Sequence, residues 1–201
     1  MREHKEIIRK LFKILCSYKE QPLELEARLN EVMTGKFYPV REPLYEKDDT
    51  VTDALFVAVG YVVLYGFDAL GDRQVLNIYV QDTIVAGKSF TEQKPSKFEL
   101  VALAGAYVMK IGADHMTEVY ADFSDAEELA RLIMADMAEK DLDRLHLLKR
   151  DAETVVLDFY TRFPEFFMDN LMTDADIASY LLISESTLRN TRAKLIKEDK
   201  L

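Results

Sequence analysis

Residues 172–197 read MTDADIASYLLISESTLRNTRAKLIK, two short helical patterns joined by a tight break, the second one basic. Thr173 precedes Asp176 by three positions, so its hydroxyl can cap the first free amides while the Asp carboxylate faces the positive end of the helix. A helix is therefore predicted from about Asp174. Ile177, Ala178 and Leu181 form one apolar stripe along it, and the small Ala178 allows a second helix to cross closely. Ser184 offers a fresh N-cap, and Leu188, Thr191 and Leu195 continue as the buried side of a helix predicted over residues 185–197. Two helices joined by so short a turn form a helix-turn-helix.

The outward face of the second helix carries Ser186, Arg189, Asn190, Ala193 and Lys197, with Arg192 and Lys194 on its flanks. Arg can grip a guanine edge bidentately and Asn an adenine edge, while short hydroxyls near a helix N-terminus can bond phosphate or base. Between Ser184 and Lys197 the formal charge is +3, in a chain of net charge -10. The expected roles are base reading by Ser186, Arg189 and Asn190 and phosphate holding by Arg192, Lys194 and Lys197. Thr173, Ser184, Glu185 and Thr187 flank that surface at the helix starts. The plainer reading of the same residues is a solvated surface helix.

Upstream, the pattern changes. The run from Ala54 to Val80 is rich in Val, Tyr, Phe and Leu and is interrupted by FDALGDRQ, a turn cluster between two strand-like runs, which reads as a hairpin. Further strand signals cover residues 83–85, 98–102 and 106–111, punctuated by Gly87, Pro95, Gly105 and Gly112. Many short strands at close spacing imply a small barrel or sandwich. Residues 5–15 and 23–33 read as helices, the second with Pro22 at a favourable first-turn position. Residues 151–163, ended by Pro164, read as a helix bracing the helix-turn-helix.

Between these regions Ser124 and Glu127 form a capping-box pattern. Leu129, Leu132, Ile133, Met137, Leu145 and Leu148 then mark an apolar stripe over about 25 residues. Such a helix can pack on its own domain, or its stripe can pair with the same stripe of a second subunit. The second arrangement is the favoured expectation, because the helix joins two modules.

The 201 residues, 49% hydrophobic and 31% charged, suit one or two globular domains with a real core. No apolar run approaches the length needed to span a bilayer, and MREHKEIIRK lacks the apolar centre of a signal peptide, so a cytoplasmic location is expected. The single cysteine, Cys16, reads as a small buried hydrophobe. His115 and His146 belong to no short ligand cluster, and no metal or other cofactor is evident. No G-x-S-x-G, H-E-x-x-H, P-loop or Rossmann fingerprint supports catalysis, and an enzyme is not expected. Negative charge concentrates in residues 121–143, where eight acids face Arg131 and Lys140, away from the proposed reading helix. The remaining field opposes DNA at long range, so modest, salt-dependent affinity that relies on dimerisation is expected.

The order of β region, long connecting helix and helix-turn-helix resembles the CRP/FNR family of dimeric bacterial transcription regulators, and the variant looks most like divergent members found in Bacteroidetes-type bacteria. DALFVAVGYVVLYGFDALGDRQVLNIYV is similar to the paired strands of the family's cyclic-nucleotide-binding-like β-roll, and DADIASYLLISESTLRNTRAKL to its DNA-reading helix pair. The resemblance implies an α+β fold: N-terminal helices and an antiparallel β-roll (double-stranded β-helix) over residues 1–118, a connecting and dimerisation helix over 119–148, and a winged or plain helix-turn-helix over 149–201. It also implies a homodimer on palindromic double-stranded DNA, with RNA polymerase as a further partner.

Two departures from the family stand out. Leu182 occupies the turn where members usually have Gly, which points to a turn of different shape. In AGKSFTEQKPSKFELVAL the family's ribose- and phosphate-gripping residues are altered. Gly87 is retained, but Lys88 stands in place of Glu, and Pro95-Ser96 near the place of Arg. Gly87, Lys88, Ser89, Ser96 and Lys97 are thus the candidate effector-pocket residues, in a degenerate pocket where cyclic nucleotide is not expected. The alternative function is a β-roll sensor or protein-interaction module that has lost specific DNA binding.

Overall fold

The computed structural model describes residues 2–201. Helices α1 (Arg2–Tyr18) and α2 (Leu23–Val32) lead into strands β1 (Thr34–Tyr38), β2 (Glu42–Tyr45), β3 (Asp53–Val59), β4 (Val62–Phe67), β5 (Arg73–Tyr79) and β6 (Thr83–Val85). The short helix α3 (Lys88–Glu92) precedes β7 (Glu99–Ala102) and β8 (Ala106–Gly112). Helices α4 (Ala113–Asp122), α5 (Ala126–Leu147), α6 (Ala152–Arg162), α7 (Pro164–Met168), α8 (Asp174–Leu181) and α9 (Glu185–Lys197) complete the chain. The strands form two four-stranded sheets of order β1-β8-β3-β6 and β2-β7-β4-β5, the α+β β-roll expected from the sequence. No strand follows β8 among the described residues.

The apolar run at residues 54–67 is two strands rather than one. Gly60 turns the chain between β3 and β4 at φ 74, and a Cβ there would lie 2.9 Å from the Ala106 backbone. Both the left-handed backbone and the close approach call for glycine. The expected hairpin follows as β4 and β5.

The chain divides into two compact units, one formed by the residues up to Leu64 together with Ile78–Met137, the other by Tyr65–Asn77 with Ala138–Leu201. In the first unit β3 is buried on both faces, which explains its unbroken apolar sequence. Leu55 and Val57 face Val62, Val85, Leu100 and Val108 inside the roll. Ala54, Phe56 and Ala58 face Leu11, Leu15, Leu29, Leu129 and Ile133 from the surrounding helices. A period of two thus sends alternate residues into two cores. Cys16 is partly buried against the helix-facing core. Helix α5 starts at Ala126, with the Leu129 N–H bonded to the Asp125 carbonyl at 2.9 Å, so Ser124 lies outside the cap expected of it.

In the second unit α6 packs on α9 and α8 around an aromatic cluster. Phe159 lies 5.2 Å from Tyr160 and 5.8 Å from Tyr180, centroid to centroid, and Phe163 stacks on Phe166 at 5.4 Å. Leu188 and Leu195 are fully buried and fix which side of α9 faces inward.

Candidate nucleic-acid interface

The helix pair forms for local reasons. The Thr173 hydroxyl accepts from the Asp176 N–H at 3.1 Å and starts α8, and the Ser184 hydroxyl accepts from the Thr187 N–H at 3.0 Å and starts α9. Both caps satisfy amides that a helix N-terminus leaves free. The Ser184 hydroxyl also lies 2.8 Å from those of Ser186 and Thr187. Between the helices Leu182 takes the left-handed conformation, φ 55 and ψ 38. The Ile183 N–H closes the turn on the Ala178 carbonyl at 3.1 Å. The turn therefore keeps the shape that a glycine would give it, contrary to the expectation from Leu182. A leucine in this conformation costs about 1–2 kcal/mol. Its side chain is 70% exposed.

Ser186, Arg189, Asn190, Ala193 and Lys197 are all exposed on α9, the outward face anticipated from spacing. The basic groups differ in how they are held. Arg189 donates Nε to Asp174 at 2.9 Å and Nη2 to Glu185 at 2.8 Å. Arg192 is half-buried, donating to both oxygens of Asp174 at 2.7 and 3.0 Å and to the Tyr160 hydroxyl at 2.9 Å. These partners hold the Asp174 carboxyl below the usual carboxylate range, Arg192 first and Arg189 second, and push the Arg192 guanidinium up. Lys194 bonds Glu153 and lies 3.8 Å from Glu198. Lys197 and Asn190 project from the face as exposed side chains.

Spacing along α9 does not reveal Asp174, Tyr160 or Glu153 as partners, because each comes from another helix. A second missed residue is Arg144, near the end of α5. Its Nη1 donates to the Leu76 carbonyl at 2.7 Å and its Nη2 to the Tyr180 carbonyl at 2.8 Å, with the guanidinium 4.2 Å from the Tyr180 ring centre. The Val75 N–H donates to the Ser179 hydroxyl at 3.0 Å, and the Asn77 amide to Asp141 at 3.0 Å. Residues 65–77 are thereby fastened to the first helix of the pair inside the second unit.

The Lys88 side chain is 84% exposed and lies 3.4 Å from Glu92. The Ser89 hydroxyl accepts from the Val51 N–H at 3.0 Å, and the Ser96 hydroxyl accepts from the Phe98 N–H at 3.0 Å. Both serines tie loop backbone. Gly87 caps α3 and Lys97 is exposed. On α5, Leu129 and Ile133 are buried in the helix-facing core of the first unit and Met137 packs against it, whereas Leu132, Leu142 and Leu145 are exposed. His115 lies 3.2 Å from Glu118.

No protein-family model matches the chain, and no curated protein matches it. Solved structures do. FixK2 from Bradyrhizobium japonicum is 18% identical with a TM-score of 0.67, over 84% of this chain and 86% of that one. A protein described as a transcriptional regulator of the CRP/FNR family from Eubacterium rectale is 12% identical with a TM-score of 0.66, over 90% and 86%. CLP of Xanthomonas campestris, described as a c-di-GMP responsive global regulator, is 15% identical with a TM-score of 0.62, over 89% and 93%. The chain has the CRP/FNR-like fold. No helix among the described residues is long and apolar enough to cross a membrane.

Proposed function

We propose that the protein is a homodimeric, sequence-specific DNA-binding transcription regulator that reads a palindromic site through α9. The observation that carries this reading is the exposed face of Ser186, Arg189, Asn190 and Lys197 on a helix whose N-terminus is capped and whose opposite side is fully buried. Arg189 and Asn190 are the base readers, and Lys197 is the phosphate contact nearest to hand. Arg192 and Lys194 reach phosphate only by exchanging Asp174 and Glu153 for it, which keeps their contribution small until DNA is bound. Thr173, Ser184, Glu185 and Thr187 shape the helix starts that meet the backbone.

The dimer seam runs along α5 through Leu132 and Leu145, the stripe residues left exposed, joined by Leu142, an exposed leucine outside the stripe. Half-sites then fall one helical turn or a multiple of it apart, roughly 34–36 Å. The effector pocket is degenerate. The outward Lys88 and the engaged hydroxyls of Ser89 and Ser96 support a protein that does not take cyclic nucleotide, and no catalytic role is proposed.

Selection of bound duplexes from a randomised pool at near-physiological salt tests this reading. Enrichment of one palindrome is expected, and recovery of no preferred sequence overturns it. The carboxylates that pair with Arg189, Arg192 and Lys194 favour one second reading, a module whose helix pair binds protein. DNA affinity that barely changes with salt would select that reading, since phosphate contacts release counterions.

A further inference from the structure

In the first unit a cavity of about 520 Å³ lies between the helix-facing side of β3 and β8 and the helices that cover it. Packed interiors leave few voids larger than a water molecule, whereas sites for small ligands run from roughly 300 to 1,000 Å³. The wall is hydrocarbon, with Leu15, Leu29, Phe56, Ile111, Val119 and Ile133 among its lining. Such a wall offers no partner for the polar edges of a base or sugar, and burying those edges unpaired is unfavourable. It suits methylene groups.

Polar groups stand at the border, where Thr91, Glu127 and Arg131 are exposed. Arg131 makes no hydrogen bond or ion pair among the described residues, although Glu127 lies one turn away on the same helix. The nearby acids Asp125 and Glu128 are engaged by Lys19, and Asp136 accepts from the Tyr18 hydroxyl at 2.6 Å. The border thus presents an uncommitted guanidinium over an apolar chamber, and a guanidinium pairs best with a carboxylate.

We propose that this cavity binds a long-chain fatty acid, the aliphatic tail along the hydrocarbon wall and the carboxylate at Arg131. The site lies wholly within the first unit and goes beyond the DNA-reading function. It would give the protein a lipid-like effector bound outside the roll interior. The ligand would pack on Leu129 and Ile133 of α5, the helix that carries Leu132 on another side.

The test titrates cis-parinaric acid, a naturally fluorescent fatty acid, into the full chain without DNA. A saturable rise in emission, reversed by palmitate, is expected. Ala130→Trp, which fills the cavity, should abolish the rise while leaving Tm near that of the wild type. Arg131→Gln, at an exposed position, should weaken palmitate by about tenfold and leave hexadecanol unchanged. No saturable rise in the wild-type protein overturns the proposal. So does undiminished binding by folded Ala130→Trp, or equal weakening of palmitate and hexadecanol by Arg131→Gln. Since no DNA is present, a negative outcome leaves the reading of DNA by α9 untouched.

Discussion

Asp174 accepts hydrogen bonds from both terminal nitrogens of Arg192, at 2.7 and 3.0 Å. One carboxylate at the start of α8 thereby ties that helix to α9, and the same carboxylate holds Arg189 at 2.9 Å. Asp174 is thus both a structural clamp and a restraint on the outward face of α9, through Arg189.

The clamp gives the second unit a definite response to acid. The Asp174 carboxyl titrates below its ordinary range in the folded chain. Its stabilisation is therefore fully present above the unfolded value of about 3.9 and is lost as pH falls through the folded value. Asp174→Asn is expected to lower stability by about 1–2 kcal/mol at neutral pH, discounted for partial exposure. The gap to wild type should narrow in urea denaturation as the pH is taken below the unfolded carboxylate value of about 3.9. A gap that persists in acid would assign the loss to packing.

Leu182 holds strain that glycine would not. Leu182→Gly is expected to raise stability by about 1 kcal/mol, because the left-handed conformation is free of Cβ clash for glycine. Thermal unfolding reads the change directly. A fall in Tm would show that the exposed leucine makes a stabilising contact.

Arg189 is restrained by two acids, and releasing one should help DNA binding. Arg189→Ala should weaken the preferred site by about 1–3 kcal/mol and random duplex little. Glu185→Gln should instead strengthen binding to both, by removing a competitor for the guanidinium and a negative charge near phosphate. Equal losses on both duplexes for Arg189→Ala would remove it as a base reader.

The two sides of α5 should respond differently. Leu142→Asp with Leu145→Asp is expected to convert dimer to monomer in light scattering with little change in Tm, since both side chains are exposed. Leu129→Ala, at a position 5% exposed, should cost about 2–5 kcal/mol of subunit stability. Loss of the dimer with Leu129→Ala alone, at unchanged Tm, would move the seam.

Ser179 reports on the fastening of residues 65–77. Ser179→Ala removes the acceptor of the Val75 N–H, and amide exchange at Val75 is expected to speed up several-fold, in line with about 1 kcal/mol for the bond. Arg144→Ala should add to the effect by freeing the Leu76 and Tyr180 carbonyls. Unchanged exchange in both variants would show that the hairpin is held by other contacts.

The elements legible in the sequence were those whose causes are local. The span of α9, read as about 185–197, is legible because Ser184 and Thr187 lie three apart and Leu188 and Leu195 lie two turns apart. Strands β6 and β8 showed themselves through β-branched runs bounded by glycine. By contrast β1, TGKFY, is exposed at all but its last residue and carries no alternation to read. It is a strand because β8, more than sixty positions later, pairs with it from Thr34↔Lys110 to Tyr38↔Ala106. The outward face of α9 is legible for the same reason as its helix. Its restraint by Asp174, eighteen positions away, and by Tyr160 was not, since no helical spacing links them.

The pairing of β3 bears on how the chain is made. Its widest partner, β8, lies across the register from Asp53↔Gly112 to Val59↔Tyr107 and leaves the ribosome some fifty residues later. At ordinary elongation rates this is a delay of about 3–10 s. Through that interval DALFVAV is a seven-residue apolar segment with high β-propensity and a single charge, waiting without the neighbour that will cover it. Segments of this kind are hazards for self-association. The strand that organises both cores of the first unit is thus a self-association hazard while the chain is still being made.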